Sequence, residues 1–193
     1  MSQSTVWNGF HGTSALCGGS IVKENFRVST AERDWLGNGA YFFIDGDGVT
    51  SAQDKAEEWA ISRSSGDTKK GLKPYNRFSV LHATIHTGKY LDFDDTKHIR
   101  ALNVLKEAYI DFLEEQGSEP TGVFLEDKCN FCNFLMQKHK VDAIVRMEYI
   151  KTNPREFKVG FSGGVPNCRV MSVRSPEASV RKIDYAIERR SVK

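Results

Sequence analysis

The sequence predicts a single α+β domain over residues 1–193. Its composition is that of a globular protein, with 39% hydrophobic and 27% charged residues, and the length suits one ordinary domain. Short strand patterns come before, between and after a few helix patterns, without the regular alternation of a doubly wound sheet. We detect no internal repeat and no low-complexity run.

The first half of the chain predicts two short strands and one helix. A short apolar segment ends at His11-Gly12-Thr13, and Gly37 and Gly39 permit a tight bend before the strand Tyr41–Ile44. In that strand Tyr41 and Phe43 share a face. Apolar residues recur at helical spacing over 51–63, and Ser64–Asp67 stops the helix before a mobile basic loop that extends to Asn76.

The second half predicts a long strand, two helices and two later strands. Residues 78–93 favour a strand in which Leu81, Ala83 and Ile85 share one face. A helix runs from the cap Asp95-Thr96 to Gly117, and a second covers 129–140. Residues 141–150 form a core strand, and residues 168–175 form a late strand after a glycine-rich loop.

Charge distribution and cysteine content limit the possible partners and the cellular compartment. Residues 1–60 carry a net charge of −4 and the remainder +6, with basic clusters at Lys69, Lys70, Lys73 and Arg77 and at the C-terminal end. These clusters are either solvated surface or a rim that faces phosphates. No segment reaches the ~18 apolar residues of a membrane span or looks like a signal peptide. Four scattered cysteines fit a reducing compartment, so we expect a cytoplasmic protein without a membrane partner.

Neither the cysteines nor the histidines of the second half predict a metal site. Cys129 and Cys132 would need a second ligand pair, and His139 is the single local candidate. The two cysteines fall on an apolar helical stripe, which favours burial in the core. His82 and His86 lie on one strand face without a third ligand, so we interpret that face as a solvent or groove face.

The segments "FHGT", "LGNGAYF" and "KAEEWA" occur in this order within the first sixty residues. The chain thereby resembles the ADP-ribosyltransferases of the poly(ADP-ribose) polymerase and diphtheria-toxin type, in particular their small bacterial toxin-like members. The resemblance implies two small antiparallel sheets around an NAD cleft, with flanking helices. It also implies NAD as a substrate and no metal.

The resemblance assigns roles residue by residue. His11 would bind an adenosine-ribose hydroxyl, the Gly12 main chain would hold the nicotinamide amide, and Tyr41 and Trp59 would stack on the nicotinamide. The same motifs place Thr13, Asn38 and Gly39 at the NAD. Ala56 stands where relatives have a serine that bonds the nicotinamide amide, which removes one expected contact.

The late strand departs from the polymerase pattern. Relatives that elongate chains have a glutamate there, whereas Cys168 or Arg169 stands at that position here, and the nearest carboxylate, Glu177, follows Pro176. We therefore count His11, Tyr41, Cys168 and Arg169 as the candidate catalytic residues. The missing glutamate favours transfer of a single ADP-ribose, unless Glu126 or Glu148 fills the role.

The resemblance favours a mono-ADP-ribosyltransferase that modifies an intracellular protein, RNA or DNA, as a toxin or phage-defence effector with a possible antitoxin or chaperone partner. Two alternatives remain: an NAD glycohydrolase, and an inactive module of the same fold that binds ADP-ribose, nucleic acid or a partner protein. An RNA 2′-phosphotransferase is less favoured, because a pair of phosphate-binding arginines is not evident in the first sixty residues.

Overall fold

The computed structural model describes residues 4–46, 51–66, 73–161 and 163–192. Its secondary structure elements follow one another in the order β1 (Thr5–Ser14), α1 (Ala15–Glu24), β2 (Ala40–Ile44), α2 (Ala52–Arg63), β3 (Arg77–Thr87), β4 (Tyr90–Asp92), α3 (Thr96–Glu115), α4 (Phe124–Lys138), β5 (Ala143–Glu148), α5 (Pro154–Val159), β6 (Cys168–Val173), α6 (Pro176–Ser179) and β7 (Val180–Ser191). The predicted α+β class is confirmed.

The strands form one sheet in the order β4-β5-β6-β2-β1-β3-β7, so the expectation of two separate sheets is wrong. All neighbouring strands are antiparallel except β4 and β5. The two halves of the sheet meet only where Gly9 pairs with Ile44 and Phe10 with Phe43. Gly9 allows this junction, since a Cβ atom there would lie 2.7 Å from Ile85 and 2.9 Å from Phe42. Beyond Phe10, β1 continues beside β3 alone.

Both faces of the sheet carry a hydrophobic core, which the strand alternation predicts. Phe43 and Val80 pack into the cluster beneath α2, α3 and α4, together with Leu135. Phe42 and Leu81 point to the opposite cluster. The predicted alternation of β2 and β3 is therefore confirmed, because consecutive residues in a strand face opposite sides.

Most predicted elements appear with shifted ends. Asp95 caps α3 by accepting from the main-chain N–H of Lys97, and α4 begins at Phe124. The strand predicted over 78–93 is divided at Gly88, because Asp142 binds the N–H groups of Gly88 and Lys89 at 2.8 and 2.9 Å and turns the chain. The predicted basic loop falls partly outside the described residues, Lys69 and Lys70 included.

Four elements were not predicted, namely the helices α1, α5 and α6 and the strand β7. The two adjacent glycines of α1 weaken its helix pattern, but Ser14 caps it by accepting from the N–H of Cys17. The last strand, β7, lies at the edge of the sheet and is rich in exposed charged residues, so its apolar alternation is weak. No helix in the described part of the chain is both long and apolar enough to cross a membrane.

Candidate functional site

A cavity of about 670 Å³ opens where β2 diverges from β1, between α1 and α2. Its wall combines residues far apart in the sequence, since β1 supplies His11, β2 supplies Tyr41 and α2 supplies Trp59. The segment between α1 and β2 adds Phe26, Asp34 and Trp35. The structure thus brings together three of the residues that the motifs singled out, and Gly39 also lies in the wall.

His11 is half-buried and fixed in orientation. Its Nδ1 lies 2.8 Å from the main-chain oxygen of Tyr41, so Nδ1 carries the proton and donates, leaving Nε2 as an acceptor. The ring packs edge-on against Phe26 at a centroid distance of 5.3 Å. Burial lowers the pKa of His11 below its ordinary value of 6.5, so the imidazole is neutral at pH 7.

The Tyr41 hydroxyl closes the glycine bend that precedes β2. It donates to the main-chain oxygen of Gly37 at 2.7 Å and accepts from the N–H of Leu36 at 2.8 Å. Gly37 has a φ of 76°, in the left-handed region that favours glycine. Burial raises the pKa of Tyr41 well above its ordinary value, so the hydroxyl stays protonated. The bend and the tyrosine therefore form one structural unit.

An aromatic side chain that the motifs did not assign, Trp35, links Tyr41 to Trp59. Its ring is perpendicular to Tyr41 at 6.0 Å and contacts Trp59 at 5.6 Å with an interplanar angle of 69°. The Arg63 guanidinium lies 4.2 Å from the Trp59 ring centre. Trp35 lies two residues before Gly37, at the start of the glycine bend. Its position next to the bend is the sequence signal that could have identified Trp35 as a residue of the site.

The motif residues Gly12, Thr13 and Asn38 lie beside the cavity and not in its described wall. A Cβ atom on Gly12 would lie 1.8 Å from the main-chain oxygen of Ala56, so α2 packs directly on β1 there. The N–H of Asn38 donates to the side-chain oxygen of Asn133 at 2.6 Å, which ties the bend to α4. Gly12 and Asn38 therefore have structural roles whatever the site binds.

The structure places Cys168 and Arg169 away from the cavity. Cys168 is buried, with its Sγ 3.4 Å from the main-chain oxygen of Glu148, and Arg169 forms an ion pair with Asp92. In the cavity wall, β6 is represented by Val170, which pairs with Phe43 of β2. The position that faces the cavity from the late strand is thus aliphatic.

The carboxylates proposed as substitutes for the late-strand glutamate are engaged elsewhere. Glu148 pairs with Lys128 at 2.6 Å, and Glu126 pairs with Arg33 at 2.8 Å. The carboxylates in the wall are instead those of Asp34 and Glu24, which the motifs did not single out. Asp34 is close enough to Tyr41 for its charge to add to the rise in the pKa of Tyr41.

Three arginines line the cavity, namely Arg27, Arg33 and Arg63. Two of them lie within the first sixty residues, where the sequence had shown no evident phosphate-binding pair. Arg27 lies 3.2 Å from Glu24 in an exposed ion pair, and Arg33 bonds Glu126 at the outer wall. The cavity therefore combines an aromatic interior with cationic groups at its edges.

The cysteines of α4 are core residues, as the helical stripe predicted. Cys129 and Cys132 are both buried, and burial raises the pKa of Cys132 to about 12. Across the described ranges, no three His, Cys, Asp or Glu side chains are grouped so that they could hold a metal ion. His82, on β3, lies 3.0 Å from the side-chain oxygen of Asn8 on the neighbouring strand β1.

No protein-family model, curated protein or solved structure matches this chain.

Proposed function

We propose that the protein is a mono-ADP-ribosyltransferase that uses NAD and modifies a macromolecule in the cytoplasm. One observation carries the proposal: His11, Tyr41 and Trp59, from three separate motifs, line a single cavity. A nicotinamide ring is flat and, in NAD, cationic, and contact with an aromatic face contributes ~0.5–2 kcal/mol to binding of such a ring. The aromatic wall formed by Tyr41, Trp35 and Trp59 suits it.

The chemistry requires positioning more than covalent participation by the protein. The bond between nicotinamide and ribose breaks with positive charge developing on the sugar, and the acceptor supplies the nucleophile. A preorganised carboxylate stabilises such a charge. Asp34 offers one in the cavity wall, whereas β6 presents Val170. The neutral His11, with Nε2 as an acceptor, is suited to bind a ribose hydroxyl.

A transfer assay with NAD labelled in the adenylate half tests the proposal. The labelled products are separated into protein, RNA and DNA fractions of a cell extract, and nicotinamide release is followed in parallel. We expect one fraction to carry label with the parent protein and to lose it with Trp59→Ala. His82→Ala, which removes a histidine that is not among the cavity-lining residues, should label as the parent does.

The late strand presents an aliphatic residue, Val170, so the polymerase-type carboxylate is not replaced on that strand, and two alternatives to transfer are tested in the same assay. Free ADP-ribose with nicotinamide, and label in no fraction, would identify an NAD glycohydrolase. NAD or ADP-ribose binding without nicotinamide release would identify an inactive binding module. Either outcome overturns the transferase proposal.

A further inference from the structure

Basic side chains gather near the C-terminal end of α2, where β3 begins and β7 ends, and one of them, Arg63, also lines the cavity. We call this group the basic rim, and it consists of Arg63, Lys73, Arg77, Arg189 and Arg190. Hydrogen bonds hold its segments together, since the N–H of Val192 donates to the Asn76 oxygen and that of Tyr75 to the Ser64 oxygen, both at 2.9 Å. Register pairs Phe78 with Arg190. These bonds bring together the end of α2, the start of β3 and the end of β7, which are far apart in the sequence.

The basic rim is continuous with the cavity through the end of α2. Arg63 belongs to both, because it lines the cavity and stacks on Trp59. The Tyr75 hydroxyl donates to the main-chain oxygen of Ala60 at 2.5 Å, which brings the start of β3 against α2. A ligand that lies along the rim would thus reach the aromatic wall without leaving the protein surface.

The rim keeps a positive charge after its ion pairs are counted. Arg190 bonds Glu57 at 2.7 Å, and Arg189 lies 3.8 Å from Glu188, whereas Lys73 and Arg77 are exposed. Within the described part of the chain, these two ion pairs set two acidic groups against five basic ones, so the basic rim is net positive.

Arg189 also has an unusual backbone. Its φ is 48°, and the register between β3 and β7 shifts next to it, between Phe78 and Val80. A non-glycine residue in this conformation at a bulge costs free energy. Bulges re-aim side chains, and this one turns a cationic side chain outward where glycine would be less strained.

We propose that the acceptor is a single-stranded nucleic acid, held by its phosphates on the basic rim while one nucleotide enters the cavity. The inference rests on the proposed transferase function and names its substrate class. Four of the five rim residues are arginines, whose planar guanidinium groups fit phosphate oxygens. The strand must be single because a base in a duplex is stacked and would have to be extruded before it could enter the cavity.

The transfer balances without any further reactant. The bond between C1′ of the nicotinamide ribose and the nicotinamide nitrogen breaks, and nicotinamide departs with the electron pair as a neutral molecule. A nitrogen or oxygen of the nucleotide forms the new bond to C1′ and loses its proton to solvent. The products are ADP-ribosylated nucleic acid, nicotinamide and a proton.

Charge reversal tests the rim without touching the cavity wall. The variant Lys73→Glu/Arg77→Glu/Arg189→Glu is compared with Lys97→Glu/Arg100→Glu/Lys106→Glu, whose residues are exposed on α3. That helix follows β4, at the end of the sheet opposite β7. Binding of fluorescent single-stranded RNA and DNA oligonucleotides is measured by anisotropy, without NAD, between about 50 and 200 mM salt.

We expect the rim variant to bind at least about tenfold more weakly than the parent and to lose about two from the slope of log K against log salt, since each phosphate contact on a single strand contributes ~0.7. The control variant should keep the parent's slope. Comparison of the RNA and DNA probes identifies which sugar is preferred. With labelled NAD, the parent should place label on the preferred nucleic acid, and the rim variant should place less. Nicotinamide release measured without a nucleic acid acceptor should be the same in both proteins.

Three results would overturn the inference. They are a parent protein that binds neither probe, a rim variant that binds and labels as the parent does, and label that enters protein alone. If the parent releases no nicotinamide from NAD, the proposed transferase function is contradicted. The anisotropy data would still decide whether the basic rim binds nucleic acid.

Discussion

The contact between Gly12 and α2 makes a quantitative prediction about the variant Gly12→Ala. The new Cβ would lie 1.8 Å from the main-chain oxygen of Ala56, about 1.6 Å less than the 3.4 Å of ordinary contact, and 2.7 Å from its carbonyl carbon. Both groups belong to regular main chain, so no side chain can rotate away. Overpacking of this kind costs about 3 kcal/mol, and α2 must move outward to accommodate the methyl group.

The expected loss of stability is large enough to be measured by thermal unfolding. For a chain of this size, 1 kcal/mol changes Tm by roughly 2–4 °C, so Gly12→Ala should unfold about 6–12 °C below the parent. The matched control is Gly19→Ala in α1, whose Cβ would meet only the Tyr185 hydroxyl, at 3.9 Å. Replacing a helical glycine by alanine stabilises by roughly 0.5–1 kcal/mol, so this variant should unfold slightly above the parent.

The same substitution affects the cavity, because α2 carries Trp59 and Arg63. Outward movement of α2 would separate Trp59 from Trp35, and NAD titration should show weaker binding by Gly12→Ala than by Gly19→Ala. A Gly12→Ala protein that unfolds within about 2 °C of the parent would refute the reasoning, since α2 could then not be pressed on β1 as the structure shows.

Three further variants test the cavity. Tyr41→Phe leaves the Gly37 oxygen and the Leu36 N–H without their hydroxyl partner, so it should cost about 1–3 kcal/mol in chemical unfolding while NAD affinity, which depends on the ring, changes little. Asp34→Asn should slow nicotinamide release at least about tenfold with NAD affinity nearly unchanged; equal rates would exclude Asp34 as the stabilising carboxylate. His11→Gln tests the lowered pKa of His11. Below pH 6.5 the unfolded chain takes up a proton that the folded chain resists, so the parent should lose stability from pH 7.5 to 5.5 more steeply than His11→Gln; parallel Tm curves would contradict this.

Periodicity predicted the parts of the fold that depend on local pattern. The apolar spacing of α2 and the alternation of β3 follow directly from which residues need burial, and the structure confirms both. The division of the strand predicted over 78–93 could not be predicted in this way, because Asp142 causes it from more than fifty residues away. Single-sheet topology likewise depends on the two residue pairs between β1 and β2, which have no local signature.

The candidate site shows the same difference between residues that local sequence identifies and residues that the tertiary fold brings in. His11, Tyr41 and Trp59 belong to short motifs and could be selected from the sequence, and they line one cavity. Trp35 and Asp34 could not be given a role, since their position in the wall results from the path of the segment between α1 and β2. The late-strand residues Cys168 and Arg169 were selected by counting, but the register of β6 on β2 presents Val170 to the cavity.

The motif glycines bear on how the resemblance should be interpreted. Gly12 is required by the contact with α2 and Gly37 by its left-handed backbone. Gly39 is required because a Cβ there would lie 3.0 Å from the main-chain oxygen of Val173, as well as 2.2 Å from the Ser172 hydroxyl oxygen. Each of these requirements comes from packing or from backbone conformation and would persist in a chain without activity. The glycines therefore support the fold more strongly than the chemistry. Under the proposed function, activity depends instead on the side chains of the cavity wall, above all Trp59 and Asp34. Substitution at these two positions would separate a transferase from a binding module.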